Sequence, residues 1–299
     1  MEVTFPVVDI ALARRLERAE GTSNARAVEA RARVSPDVGA TWTEVAGAYA
    51  MFDGPSSPMT QTFGLGIFQL PTIDDLAAIE SFYTERSAPV FHEVSPVADA
   101  ALLPLLTTRG YLPIEFTSVM YRPVGREGRE GREGREGREG REGQEGQEGQ
   151  EGQDRQDGRD GRARVTVRRV SAGDVEVYAR TAADGWREFG YGEFMHDAAR
   201  MAAVTEGLHL FLAELEGRPI ATGALAIHGR VAHLAGASTI PDGRKRGAQN
   251  ALLEHRLRYA ADQGCDIALM GALPGSGSQR NAERNGFRIA YTRIKWRRV

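Results

Sequence analysis

One stretch limits the folds open to this chain more than any other: Thr239-Ile240-Pro241-Asp242-Gly243-Arg244-Lys245-Arg246-Gly247-Ala248-Gln249, followed by an apolar-periodic run to Gln263. Upstream, Val231 to Thr239 alternates like a strand. Downstream, Ala251, Leu252, His255 and Tyr259 recur at helical spacing, with Leu253, Leu257 and Ala260 widening the stripe. A strand therefore feeds a short loop, and the loop opens a helix. Pro241-Asp242-Gly243 is turn chemistry. A helix start carries unpaired N–H groups and about half a positive charge, which makes it an anion site. Arg244, Lys245 and Arg246 set three cations beside it, and Gly247 lets backbone approach a ligand without a side chain in the way.

A second feature divides the chain. From Arg126 to Gly143 the triplet Arg-Glu-Gly occurs six times, and Gln-Glu-Gly follows three times to Gly152. Glycine at every third position without proline argues against a triple helix. The tract has no apolar side chains to offset ordering entropy, so it reads as a disordered linker over 125–163. As a coil it spans roughly 30–36 Å, enough for the flanking parts to pack in several arrangements. It carries 9 Arg against 12 Asp and Glu, which accounts for the whole net charge of −3; the remainder holds 29 of each sign. Balanced charge outside the tract gives no nucleic-acid footprint. No apolar run approaches the roughly 20 residues of a membrane span, and Met1 to Pro6 lacks a signal-peptide pattern. The expectation is a cytoplasmic protein without membrane or nucleic-acid partners. Cys265 is the only cysteine, so neither an internal disulfide nor a cysteine-rich metal site is expected; no metal is assigned.

The two flanks read as α/β with mixed sheets. Residues 1–124 begin with a helical region from Val7 to Arg33, interrupted at Gly21 to Asn24. Strands follow at 41–46, 48–52 and Thr60 to Gln69, then a helix capped by Thr72, a strand at 90–94, a helix at 98–108 and strand-like residues from Tyr111. Residues 164–299 read as strand, helix, an aromatic glycine-rich loop from Trp186 to Met195, helix, and three strands. The basic loop and its helix come next. Then come a strand over Asp266–Ala272, a short helix over Gln279–Asn285, and closing strands.

The basic loop resembles the pyrophosphate-binding loop of the GNAT superfamily of N-acetyltransferases, whose pattern is Arg/Gln-x-x-Gly-x-Gly/Ala. Arg244 and Gly247 match it, and Gln249 departs from it. Ser278 to Phe287 looks like the family's Ser/Asn-rich helix ending in Gly-Phe, and the element order of 164–299 is the family's order. The first flank has a similar order, with Arg109-Gly110-Tyr111 at the later Gly-aromatic position. Its helix at Thr72, however, is preceded by Gln69-Leu70-Pro71 without a cation. The resemblance therefore implies tandem GNAT-like domains, the first degenerate in cofactor binding.

That resemblance implies acetyl-CoA as cosubstrate and an amine of a small molecule or peptide as acceptor. It implies cofactor contacts from Ala237, Ser238, Thr239, Arg244, Lys245, Arg246, Gly247, Ala248, Gln249 and Asn281. The pantetheine arm would enter between splayed strands, here Val231–Thr239 and Asp266–Ala272. The family's usual tyrosine acid falls at Ala282, leaving Tyr291 as a substitute. For the base, His233 shares strand parity with Ala237 and Thr239, and Glu193 and His196 are further candidates. The Trp186–Met195 loop is expected to line the acceptor site. A non-catalytic CoA- or ligand-binding sensor or scaffold on the same fold is the alternative. A homodimer is compatible with either.

Overall fold

The structure is a computed structural model, and it describes residues 4–125 and 165–299. The repeat tract read as a disordered linker lies outside the described residues.

The first half runs α1 (Ile10–Val34), β1 (Thr41–Val45), β2 (Ala48–Phe52), β3 (Gln61–Phe63), α2 (Ile73–Thr84), β4 (Phe91–Val94), α3 (Leu102–Thr108) and β5 (Tyr111–Pro123). The second runs β6 (Val165–Arg169), α4 (Val175–Trp186), α5 (Gly192–Val204), β7 (Leu208–Leu215), β8 (Arg218–His228), β9 (Val231–Thr239), α6 (Ala248–Asp262), β10 (Ile267–Ala272), α7 (Gly277–Arg284) and β11 (Arg288–Arg298).

The eleven strands of the described residues form one sheet in the order β1-β2-β3-β4-β11-β5-β10-β9-β8-β7-β6. The halves exchange their last strands. β5, from the first half, lies between β10 and β11 of the second; β11 lies between β4 and β5 of the first. A tandem α/β arrangement was expected, with halves able to pack in several ways; the exchanged strands of the shared sheet instead commit the halves to one arrangement. Each needs the other's terminal strand to satisfy its central backbone groups.

Several local expectations shift for identifiable reasons. α1 is continuous through Gly21, where a Cβ would stand 2.7 Å from the Tyr49 ring; the glycine permits close packing rather than a break. β3 stops at Phe63 because Gly64 and Gly66 take positive φ and turn the chain, burying Leu65 and Ile67. The aromatic loop is largely helical: a 3-10 turn at Arg187–Phe189 leads into α5. The closing strands are a single strand, β11.

α1 is about 37 Å long by helix geometry and lies across the junction. Leu12, Leu16 and Ala19 pack with Val119 and Tyr121 of β5, Ile267 and Leu269 of β10, Val231 of β9 and Tyr291 of β11. Beneath it sits a buried charge cluster. Arg293 of β11 reaches Glu20 at 2.7 Å and Glu17 at 3.3 Å on α1, and Glu93 of β4 at 3.7 Å. Tyr291 donates to Glu17 at 2.8 Å. Burial pushes the Glu17 and Glu93 carboxyls up, against the pull of Arg293. Burial works on Glu20 the same way, but Arg293 and His233 hold it below the ordinary carboxylate value. One guanidinium thus ties α1 to the exchanged strand.

Two outcomes follow from this packing. Residues 1–124 and 164–299 produced separately should each fail to give a cooperative thermal melt, and should form a defined complex on co-expression; a monomeric, cooperatively melting half in gel filtration and calorimetry would contradict the exchange. Arg293→Ala should lower stability by about 3–5 kcal/mol in urea titration, because the remaining carboxylates stay buried without a counter-charge.

Candidate active site

The site is built where two parallel strands part. β9 and β10 pair only at Val231–Ile267, Ala232–Ala268 and His233–Leu269. Beyond that, β9 runs on to Thr239 and β10 to Ala272 without a partner in each other. The gap coincides with a bulge: between the pairs Ala235–Ala224 and Ser238–Thr222, Gly236 and Ala237 face the single residue Gly223. Gly236 takes φ +61°, and both Gly236 and Ala237 are exposed in a strand otherwise mostly buried. Bulges bend a strand and re-aim its side chains.

The bulge also overturns the parity expected for His233. Ser238, not Ala237 or Thr239, returns to the α4 side, where its hydroxyl donates to the Ala182 carbonyl at 2.9 Å. The side chain of Ser238 therefore packs against α4 and is buried. Close fit at this point rests on Gly185 of α4, where a Cβ would stand 2.0 Å from Ser238 Oγ. From the other face, Arg256 of α6 donates to the carbonyls of Ala224 and Ala235 at 3.0 and 3.2 Å. Its burial lowers its pKa to about 10. Gly223 leaves the room: a Cβ there would meet the guanidinium carbon at 2.9 Å.

The two helix starts that follow the splayed strands differ. In the first half, α2 is closed by its own side chains: Thr72 Oγ1 accepts from the Asp75 amide, and Asp75 accepts from the Thr72 amide. Asp74 and Asp75 make its first turn acidic. An added anion would meet occupied donors and like charge. In the second half, α6 has no side-chain cap and no acidic residue in its first turn. Among the described residues, the amides of Lys245 through Asn250 donate to no protein acceptor. Gly247 takes φ +82° with open space where a Cβ would lie, and Lys245 takes φ +60°. This is a concave run of bare donors.

The loop side chains separate into two groups. Lys245 and Arg246 are exposed and make no ion pair among the described residues. Arg244 is engaged: it pairs with Glu188 at 2.5 Å and donates to the Gly185 carbonyl at 3.4 Å. Gln249, which departs from the motif, donates both amide hydrogens to β9, at 2.9 Å to the Ser238 carbonyl and 2.8 Å to Thr239 Oγ1. Its side chain latches the helix to the strand end, so only its backbone amide faces the anion position. Ala248 is buried in the core beneath the loop. Asn281 on α7 is half-buried, and its side chain makes no hydrogen bond among the described residues.

A cavity of about 260 Å³ meets β9 at His233, Ala235 and Gly236. Its other walls come from both halves: α1 supplies Ser23 to Arg31, the loop after β2 supplies Asp53 and Met59, and α4 and α5 supply Tyr178, Phe194, Met195 and Met201. His233 is buried, its Nδ1 lacks a partner, and burial holds its pKa below the ordinary value despite the opposing charge of Glu20. The imidazole is therefore neutral at pH 7. Tyr178 was not singled out from the sequence. Its hydroxyl lies 3.3 Å from where a Gly236 Cβ would stand, and burial raises its pKa while Arg256 opposes the rise.

Other sequence candidates lie elsewhere. Tyr291 sits on β11, separated from β10 by β5, so it is about 10 Å from β10 by strand spacing alone. Its hydroxyl is committed to Glu17 inside the charge cluster. Glu193 is exposed and His196 pairs with Glu176 at 3.3 Å; neither lines the cavity. Of the aromatic loop, Phe194 and Met195 line the cavity, and Trp186, Phe189 and Tyr191 form an exposed rim.

Comparison with known proteins locates this arrangement. A family model described as an acetyltransferase (GNAT) domain matches residues 141–275, which include β9, the basic loop, α6 and β10. Among solved structures, a GCN5-related N-acetyltransferase from Kribbella flavida is similar at TM-score 0.56 and 16% identity, over 92% of this chain and 95% of that one. A functionally unknown conserved protein from Staphylococcus epidermidis is similar at TM-score 0.54 and 10% identity, over 87% and 94%. A tandem GNAT protein from the clavulanic acid biosynthesis pathway is similar at TM-score 0.52 and 11% identity, over 85% and 78%. No match was found among curated proteins.

Gly185→Ala is expected to lower stability by about 1–3 kcal/mol in urea titration, since its methyl group cannot fit against Ser238 without moving α4 or β9. Gly277→Ala, at a helical position without positive φ and with open space where its Cβ would lie, is the control.

Proposed function

We propose that this chain is a GNAT-type acetyltransferase whose second half binds acetyl-CoA and transfers the acetyl group to an amine by direct attack on the thioester; the family model over residues 141–275 and the fold shared with GNAT structures support this reading. The observation that carries this reading is the bare amide run Lys245–Asn250 beside a strand gap that opens onto a cavity at Gly236.

In this reading the diphosphate rests on the amides around Gly247, with Lys245 and Arg246 adding charge. Arg244 joins them if it leaves Glu188. The pantetheine arm lies in the gap along β9 past Thr239 and Ala237, with Asn281 within reach from α7. The thioester then comes to the Gly236 bulge, where the cavity begins. An alkyl ammonium with pKa near 10 must lose a proton before attack. Neutral His233, which lines the cavity, takes that proton directly or through one water. The free amine attacks the carbonyl carbon, and the oxyanion forms against the bulge, close to the buried charge of Arg256 and the Tyr178 hydroxyl. Collapse breaks the carbon–sulfur bond; the thiolate leaves, stabilised by a hydrogen bond from Tyr178, and takes up the proton that the new amide nitrogen sheds, giving the amide and the CoA thiol. Tyr178 takes the part first assigned to Tyr291, which the charge cluster occupies. The first half supplies cavity wall rather than a second cofactor site, its helix start being closed by Thr72 and Asp75.

A non-catalytic sensor is the second reading, favoured by Ala282 where the family has a tyrosine. Calorimetry and thiol release separate the two: binding without release over an amine panel supports the sensor.

Gly247→Glu should weaken acetyl-CoA binding at least tenfold in calorimetry, and the Lys245→Ala/Arg246→Ala pair should do the same with a shallower salt dependence; unchanged affinity in both would remove the basis of this reading. His233→Gln should lower kcat about 10²-fold or more while leaving acetyl-CoA affinity intact. With wild type, kcat/KM should be level near pH 7 and fall on acidification as His233 protonates, with an apparent pKa below 6.5; the variant should lose that acid limb.

A further inference from the structure

From the walls of the cavity at Gly236 we infer the acceptor class, resting on the acetyl-transfer reading above: a primary amine carried on a small, apolar, uncharged body. Three observations on this chain carry the inference. The first is size. At about 260 Å³ the space lies just under the range of drug-sized ligand sites, which fits a small acceptor body. The second is chemistry. The walls hold Val28, Met59, Phe194, Met195, Met201 and Leu208, together with several alanines. Three methionines adapt to varied apolar shapes.

The third is charge. Among the lining residues the only cation is Arg31, and it is fully occupied. It pairs with Asp53 at 3.2 Å and with Asp197 at 2.5 Å, and Asp53 also accepts from Ser57 at 2.7 Å. An amino-acid carboxylate would find no free cation here, and the local balance of one guanidinium against two carboxylates opposes it. A polycation would have to leave its second ammonium among the methionine side chains, short of Asp53, whose carboxylate Arg31 and Ser57 already engage. The wall from α1 runs from Ser23 to Arg31, about 12 Å by helix rise. His233, within electrostatic reach of Glu20, marks the end next to the bulge. The amino group therefore sits at His233 and Gly236, and the body extends along α1 toward the Arg31–Asp53 pair. Both halves select it, because α1 and Met59 belong to the first half and α5 to the second.

The test uses full-length protein with saturating acetyl-CoA and follows thiol release with phenethylamine, spermidine, glutamate and Nα-acetyl-lysine. Phenethylamine should give a KM at least tenfold below the other three. Ala27→Phe from α1 and Ala198→Phe from α5, which fill the cavity from opposite walls, should each raise that KM at least tenfold. Acetyl-CoA affinity by calorimetry should stay at the wild-type value in both, which also certifies their folding. A preference for glutamate, spermidine or the lysine derivative overturns the inference while leaving acetyl transfer in place. So does an unchanged phenethylamine KM in both variants; no release with any amine when acetyl-CoA is bound fails the acetyl-transfer reading in favour of the sensor. Absence of acetyl-CoA binding in wild type fails the underlying reading instead.

Discussion

Neither half of this chain completes its own sheet. β5 stands between two strands of the second half and β11 between two strands of the first. An unpaired strand edge in a sheet interior leaves a row of unsatisfied N–H and C=O groups. The two halves are therefore committed to one arrangement, and everything at the site inherits that commitment. α1, which begins the first half, is held over strands of the second by apolar contacts and by Glu17 and Glu20 on Arg293. Held there, it becomes a wall of the cavity at β9.

The same fold element appears twice with opposite chemistry. Both halves carry a strand, a turn and a helix start next to a parallel neighbour strand. In the first, Thr72 and Asp75 close the helix start with their own side chains. In the second, Gly247 removes the side chain, three basic residues flank it, and the amides stay unpaired. A helix dipole alone does not make an anion site. What decides is whether the chain's own side chains reach the orphan donors first.

Much of this was legible in residue order. The strand-loop-helix around Gly247, the Ser278–Phe287 helix and the alternation of elements all read correctly, because turn residues and hydrophobic period act within a few positions of one another. Tyr291 shows where that reach ends. Its place on the last strand was foreseen, but the insertion of β5 between β10 and β11 was not, since no local signal reports which strand will pair with which. His233 was chosen on strand parity, which the bulge at Gly236 then altered. It reached the cavity by another route, as the residue under α1. Tyr178 went unnoticed because a lone tyrosine on an amphipathic helix looks like core.

By itself the sequence determined an α/β chain in two flanks, and a helix start with a glycine and three cations beside it. It determined, too, that the counterpart in the first flank was not. These are local matters: backbone dihedrals, charge and capping are set by neighbours in the chain. Only the tertiary structure decided that the flanks share one sheet, that Arg293 anchors α1 across it, and that Val28, Met59, Met195 and His233 surround one cavity. Contacts between residues more than two hundred positions apart, such as Glu17 and Arg293, depend on which strands finally pair, and pairing is a property of the whole sheet.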